Sequence, residues 1–511
     1  MPTYTNPVLT GFHPDPSICR VGGDFYLVTS SFEYFPGVPL FHSTDLVHWR
    51  QLGHVLTRPS QLDLLGAPAS GGLFAPTIRH HDGRFYVTVT NVDAGGHLLV
   101  WADDPQGPWS DPVVVDQDGI DPSLFFDEGR CYFTSTVEPD PAPPHPLEVD
   151  FVRGAQQCEI DPVSGERLTA TRFLWAGTGG QYPEAPHLFR RGDLYYLVLA
   201  EGGTAHGHMV TVARSSSPWG PWEPCPRNPV LTHRSAPSRV QSVGHADLVE
   251  LADGTWWLVA LGVRTVGGGY HTLGRETFLA PVVWDEDGWP VVGADGRMPD
   301  VAQAPALPPS PADDPVTLDA FDGPALAPYW NTLRRPLPPE AADLTARPGA
   351  LRLVGGPHTT DDPLLVALLR RQQHHACTFA ATLEFAPGDG DEAGLVVRAD
   401  EAHHVDLAVR AAGGGRVVEL RQRVGPVRAV LASGEVPDGV LELRVDAEPE
   451  SYRFSVRHAD GVLELGTTSS RYVSTEVAGG FTGVYLGMYA SGDGASAPAP
   501  AWWTRAAYAP A

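Results

Sequence analysis

Over residues 1–301 short hydrophobic runs alternate with tight turns, a rhythm of strands rather than of long helices. Phe25-Tyr26-Leu27-Val28-Thr29 follows the turn Gly22-Gly23-Asp24, and Phe85-Tyr86-Val87-Thr88-Val89 follows His81-Asp82-Gly83. Short β-branched and aromatic runs bounded by Gly and Asp predict strands. These runs belong to a unit that recurs five times. Its openings are Asp15-Pro16-Ser17-Ile18, Ala75-Pro76-Thr77-Ile78, Asp121-Pro122-Ser123-Leu124, Ala185-Pro186-His187-Leu188 and Ala246-Asp247-Leu248. From the proline to Tyr26, Tyr86, Tyr132 and Tyr196 the gap is ten residues in each of four units. In the fifth, Trp257 lies eleven residues after Ala246. Repeats of this length with several strands each are the mark of propeller blades. Residues 1–301 are therefore expected to form a five-bladed β-propeller.

From 302 to 316 the chain becomes Pro-rich and reads as a stiff linker. Beyond it the pattern changes. Leu441-Glu442-Leu443-Arg444-Val445-Asp446 and Ser451-Tyr452-Arg453-Phe454-Ser455-Val456-Arg457 alternate strictly, as strands with one buried face do. Residues 317–511 are expected to be an antiparallel β-sandwich. The whole chain is thus read as all-β.

Composition narrows the partners. Gly 55 and Pro 50 suit many turns, and 35 basic against 61 acidic residues leave a net charge of −26. An acidic surface is poorly suited to nucleic acid or anionic membranes and suits a neutral substrate. The five cysteines are odd in number, scattered and without a CxxC pair, so reduced core thiols and a reducing compartment are expected. The first residues lack a basic and an apolar region of the signal-peptide kind, and no apolar run is long enough to span a bilayer, which points to a cytoplasmic protein. No Walker loop, Gly-x-Gly-x-x-Gly or Gly-x-Ser-x-Gly motif is present, so nucleotide and serine-hydrolase chemistry loses its usual support and no organic cofactor is expected.

If the units surround one axis, their openings bring Asp15, Asp121, Glu184 and His245 together. Asp15 and Asp121 each precede proline, which favours extended backbone and a side chain fixed at a strand's entry. Glu184 sits in Gln181-Tyr182-Pro183-Glu184-Ala185-Pro186-His187, where partly apolar surroundings and neighbouring anions would keep a carboxyl protonated. A protonated acid and a carboxylate facing one glycosidic oxygen suffice for hydrolysis: one protonates the leaving oxygen, the other activates water. Phe32, in the ring-rich loop Ser30–Pro39, and Phe74 are candidate sugar platforms. Arg275 either hydrogen-bonds sugar hydroxyls or pairs with Glu276 at the surface. His208 and His245 are open between buried hydrogen-bonders, substrate contacts and metal ligands, and no tight ligand spacing supports zinc.

Taken together, these motifs resemble glycoside hydrolase family 43, the β-xylosidases and α-L-arabinofuranosidases. The likeness runs through His13-Pro14-Asp15-Pro16-Ser17-Ile18, Gly119-Ile120-Asp121-Pro122-Ser123, Tyr182-Pro183-Glu184-Ala185-Pro186-His187, Gly244-His245-Ala246-Asp247 and Gly274-Arg275-Glu276-Thr277-Phe278. The tail, with Phe321-Asp322-Gly323-Pro324, resembles the concanavalin-like sandwich of one branch of that family. The resemblance implies Asp15 as general base, Glu184 as general acid and Asp121 as the residue that tunes and orients it. It implies that Phe32, Thr204 and Arg275 line the terminal-sugar subsite; Phe74 and His208 stand beside them as substrate-binding candidates from the reading of the residues. His245 would touch either substrate or the water shell of a calcium ion at the propeller axis. The implied reaction inverts the anomeric centre, with carboxyls on the order of 6.5–9.5 Å apart. Phe74 stands where many β-xylosidases of this type carry tryptophan. The expected activity is exo-release of terminal β-D-xylose from short xylo-oligosaccharides, with α-L-arabinofuranose as the alternative sugar. A retaining fructan-type hydrolase and a non-catalytic carbohydrate-binding propeller are the competing readings.

Overall fold

The computed structural model describes residues 3–138, 153–303, 317–492 and 498–511. The first half contains five antiparallel sheets of neighbouring chain order. They are Ser17–Val21, Asp24–Val28, Gly37–Ser43 and Arg50–Leu56; Leu73–His81, Arg84–Asn91, Gly96–Ala102 and Val113–Val115; and Ile120–Asp127, Arg130–Val137, Gly154–Ile160 and Arg172–Trp175. Then come Glu184–Arg191, Leu194–Glu201, Met209–Ser215 and Glu223–Pro224, with Leu231–Thr232 added to the third strand, and finally Val240–Glu250, Trp256–Arg264, Glu276–Trp284 and Pro290–Val292. The first strand of each sheet packs against the first strands of the sheets before and after it, and Ser17–Val21 meets Val240–Glu250, so the five close into a ring. This is a propeller, with the repeat's openings at its hub.

The aromatic doublets explain why the ring packs. Successive residues of a strand point to opposite faces, so each doublet serves two cores. Phe25 lies between the fifth and first sheets while Tyr26 packs towards the second; Phe85 and Tyr86, and Trp256 and Trp257, divide in the same way. Each such ring removed from water contributes about 1.5–3 kcal/mol. All five cysteines are free and buried.

A second regularity binds the inner strands. The residue after the opening proline carries a hydroxyl in three units, and it bridges to a neighbouring unit. Thr77 Oγ1 donates to Pro122 O at 2.8 Å, Ser123 Oγ to Pro186 O at 2.5 Å, and Ser17 Oγ to Asp247 Oδ2 at 2.6 Å. Ring closure is completed by the N-terminal segment. Thr3–Thr5 pairs antiparallel with Val301–Gln303, and Asn6 Nδ2 donates to Leu279 O and Pro299 O. Ala302 and Gln303, read from sequence as the start of the linker, are therefore paired strand residues; residues 304–316 of that linker lie outside the described residues.

The second half is a two-sheet sandwich. One sheet runs Val366–Arg371, Tyr485–Gly492, Asp391–Arg398, His403–Ala412, Gly415–Val424 and Val427–Val436; the other is built around Pro500–Pro510, Cys377–Glu384, Val440–Glu448 and Ser451–His458. The alternating runs near 441 and 451 are the strands expected there, with the apolar positions inside. No helix among the described residues is long and apolar enough to cross a membrane.

The sandwich is built onto the propeller. Tyr34–Phe35 pairs with Thr332–Leu333 across the two halves. Tyr34 stacks on Tyr485 with centroids 3.8 Å apart, an arrangement worth about 0.5–1.5 kcal/mol beyond burial. Phe12, Phe32 and Tyr34 share one core with Leu333, Leu369 and Val396. Gly274 is needed here: at φ +74°, a Cβ on it would lie 2.8 Å from the Gly483 Cα of the sandwich.

Candidate active site

The openings do not have the extended backbone that proline was expected to impose. Asp15 has φ 55° and Asp121 φ 51°; Ala185 and His245, at 53° and 49°, follow the same course. At Asp121, Ala185 and His245 the cause is a bulge. The register slips between Ile120 and Ser123, between Glu184 and His187, and at Gly244. Proline has no N–H to give the ladder and fits a bulge, while the extra residue turns the preceding side chain towards the hub. Such left-handed residues cost about 1–3 kcal/mol each and persist where the surroundings enforce them.

Those side chains line one cavity of about 680 Å³ at the propeller's mouth. Asp15, Asp121, Glu184, Phe32, Phe74, Thr204, His208, His245 and Arg275 all face it, so every sequence-predicted site residue is brought to the same place. Asp15 and Glu184 thus open onto one space rather than onto separate clefts.

Asp15 is held by three groups. Ser30 Oγ donates to Oδ2 at 2.5 Å, Arg275 Nη1 donates to Oδ1 at 2.8 Å, and His245 Nδ1 stands 3.5 Å from Oδ1. Burial alone would raise this carboxyl, but Arg275, His245 and Ser30, with His208 behind them, outweigh it and keep it below its ordinary range. Asp15 is therefore an anion across the neutral range. Arg275 is not paired with Glu276, whose carboxylate is taken by Arg264 at 2.6 and 2.8 Å. Instead its guanidinium lies over Phe32 at 5.5 Å and reaches Thr204 Oγ1 at 3.5 Å.

The other two acids are pushed the opposite way. Burial, then repulsion from Glu184 and from Asp15, lifts Asp121 well above the carboxylate range; its Oδ2 accepts the Ala185 N–H at 3.1 Å. Asp121 thus fixes the backbone next to Glu184. Glu184 is also raised, chiefly by burial and further by Asp15, while an ion pair with Arg153 opposes the rise. One carboxyl anionic and a neighbouring pair that retains a proton is the division of labour a two-acid hydrolysis requires.

His208 is a buried hydrogen-bonder at the cavity wall: its Nδ1 pairs with Ser242 O at 2.9 Å, and burial lowers it to about 4. Gly244 leaves room for it, because a Cβ there would sit 2.5 Å from the imidazole ring. His245 touches Asp15 and the cavity. A calcium ion needs six to eight oxygen ligands. At the hub both oxygens of Asp247 are already bonded to Arg79, and Asp15 is engaged by Ser30 and Arg275. Among the described residues no group of three or more His, Cys, Asp or Glu is placed to hold a metal. The hub carboxylates therefore do not offer a direct ligand set for calcium; the expected contact of His245 through a water shell is a different arrangement.

Two site residues escaped the sequence reading. Arg153 bridges Glu138 and Glu184 and lies over the Tyr182 ring at 5.3 Å; nothing in its sequence neighbourhood marks it. Phe481 comes from the sandwich, at the tip of Gly479-Gly480-Phe481-Thr482-Gly483, and is 41% exposed at the cavity. It stacks near Phe32 at 6.1 Å and lies over Arg275 at 5.7 Å, while its N–H is held by Ser70 Oγ at 2.8 Å. A large ring between paired glycines was the one signal available.

Comparison with known proteins agrees with this geometry. Residues 4–290 match the model of glycosyl hydrolases family 43, and residues 318–509 match the beta xylosidase C-terminal concanavalin A-like domain. The chain is 46% identical over 98% of its length to the non-reducing end alpha-L-arabinofuranosidase BoGH43B of Bacteroides ovatus, covering 93% of that protein. It is 39% identical to a xylosidase/arabinosidase of Butyrivibrio fibrisolvens, over 96% of both chains. Among solved structures, the Bacteroides ovatus xyloglucan PUL GH43B superposes with a TM-score of 0.94 at 44% identity, each chain fully covered.

Proposed function

The chain belongs to glycosyl hydrolase family 43 and is an exo-acting glycosidase; on that premise we propose that it removes terminal α-L-arabinofuranosyl units from short oligosaccharides, with inversion. The observation that carries the choice of sugar is Phe74. An arabinofuranose has an exocyclic hydroxymethyl group that a xylopyranose lacks. Phenylalanine in place of the tryptophan of many β-xylosidases leaves lateral room for that group beside Phe32 and Phe481, whose rings lie 5.2 and 6.3 Å from it. The name of the 46%-identical Bacteroides relative supports the same reading. Release of β-D-xylose is the second reading, favoured by the Butyrivibrio relative that is named for both sugars.

In this reaction Asp15 takes a proton from water as it attacks the anomeric carbon. Arg275 and His245 keep that base ionised, and Glu184 delivers its proton to the departing oxygen. Asp121 holds the Ala185 backbone beside Glu184, while burial and the Asp15 charge raise Glu184. A panel of aryl α-L-arabinofuranoside and β-D-xyloside substrates tests the sugar: the arabinofuranoside is expected to have the higher kcat/KM, and a higher value for the xyloside reverses the assignment. Proton NMR of the first-released sugar tests inversion; a product of unchanged configuration removes the water-activating role from Asp15.

Arg153 supplies a test of the acid. Its charge opposes the rise of Glu184, so Arg153→Ala is expected to raise that carboxyl further. The basic limb of the kcat/KM profile, where the acid loses its proton, then moves to higher pH while the acidic limb stays. A basic limb that stays put or falls argues against Glu184 as the acid.

A further inference from the structure

We propose that Arg79 is the built-in cation of the propeller hub, filling the charge role a divalent ion would otherwise take, and that it is a positioning residue for the Asp15–His245 wall. The proposal rests on the glycosidase reading above and goes beyond it, since Arg79 does not line the cavity and touches none of the reacting groups.

Arg79 leaves the second sheet and crosses to the fifth. Its Nη1 donates to Asp247 Oδ2 at 2.8 Å and its Nη2 to Oδ1 at 3.1 Å, a two-pronged pairing. The same Nη1 reaches Ser17 Oγ at 3.2 Å and Ile18 O at 3.4 Å in the first sheet; Nη2 donates to His187 Nδ1 at 3.0 Å in the fourth. One guanidinium therefore ties the inner strands of four sheets. Five donors in a fixed plane suit that task as a lone ammonium does not.

The recipients are equally specific. Asp247 is fully buried, and beyond Arg79 it accepts from Ser17 Oγ at 2.6 Å and from the N–H groups of Ile18 at 3.0 Å and Leu248 at 2.9 Å. A carboxylate so enclosed needs a cation beside it. Burial would raise it, and Arg79 first among its neighbours brings it below its ordinary range. His187 is held near 3, chiefly by burial, which leaves its Nδ1 free to accept.

The link to catalysis is positional. Ser17 follows Asp15 by two residues, and Asp247 follows His245 by two. Arg79 thus clamps both chain segments immediately behind the Asp15–His245 pair, whose atoms stand 3.5 Å apart. Loss of the clamp lets the two openings move independently, and misplacement of about 1 Å costs on the order of 100-fold.

The test compares the wild type with Arg79→Met and Arg79→Lys on an aryl glycoside, with circular dichroism and Tm as folding controls. Arg79→Met is expected to lose about 100-fold in kcat with KM little changed. Arg79→Lys should keep part of the activity, and guanidinium chloride at tens of millimolar should partly restore the Met variant where sodium chloride does not. Chelation with EDTA should leave the wild type's kcat and Tm unaltered. Should Arg79→Met not fold, Ser17→Ala removes one of its tethers and is expected to lower kcat at unchanged KM in a variant that still folds. A Met variant, or failing it a Ser17→Ala variant, with wild-type kcat overturns the proposal. So does a wild type that loses activity to EDTA and recovers it with calcium. A wild type inactive on every aryl glycoside sinks the glycosidase reading itself, a result distinct from an active wild type matched by an equally active Arg79→Met.

Discussion

Asp15→Asn is expected to lower kcat by about 10²–10⁴-fold, the range a positioned general base supplies, and to do so for every substrate. The amide keeps an oxygen for Ser30 or Arg275 and so preserves the wall, but it cannot accept a proton from water. Because water must attack whatever the leaving group, the loss should be the same for good and poor leaving groups, and KM should change little. Steady-state kinetics on a leaving-group series measures this directly. A variant that keeps more than a tenth of wild-type kcat leaves Asp15 as a substrate contact only. The acidic limb of the wild-type profile belongs to the same group. Asp15 is held below its ordinary range, so activity should persist until the pH falls through that depressed value, where protonation removes the base.

Glu184→Gln is expected to behave differently with each leaving group. For an aryl glycoside with a poor leaving group, kcat should fall by about 10²–10⁴-fold, since protonation of the departing oxygen is lost. For a dinitrophenyl glycoside, whose phenolate leaves without help, little should change. The diagnostic is therefore the slope of log kcat against leaving-group pKa, shallow in the wild type and steep in the variant. A uniform loss across the series would assign Glu184 to binding rather than to proton delivery. The wild-type basic limb should lie above the usual carboxylate range, because burial and Asp15 raise Glu184 more than Arg153 lowers it.

The hub was legible in sequence because its logic is repetitive. Equal spacing between proline and aromatic doublet could be counted, and the doublet's two-faced packing follows from strand alternation alone. Asp15 and Asp121 stood at equivalent openings, with Glu184 one residue ahead of a third, and the three do meet in one cavity. What proline implied about the backbone was misleading at Asp15 and Asp121; at Asp121 the backbone follows a bulge, which is decided by the register of the partner strand and not by the dipeptide. Arg275 had two partners open to it, Glu276 and the sugar site; Arg264, twelve residues before Glu276 in sequence, claims that carboxylate and settles the matter. Arg153 and Phe481 were invisible because their roles depend on the packing of distant segments. A single arginine, or a ring in a glycine-rich turn, carries no periodic signal.

The strand pair formed by Tyr34–Phe35 with Thr332–Leu333, together with Phe481 at the cavity rim, has a bearing on how this enzyme can be re-engineered. Its two halves are not interchangeable cassettes. Grafting a tail from another relative would replace part of the sugar-facing surface along with the fold, and pruning the tail would leave Phe12 and Tyr34 bare to solvent. Chimeras should therefore be cut so that each catalytic half keeps its own partner, and swaps of specificity sought by shuffling the tail should change selectivity as well as solubility.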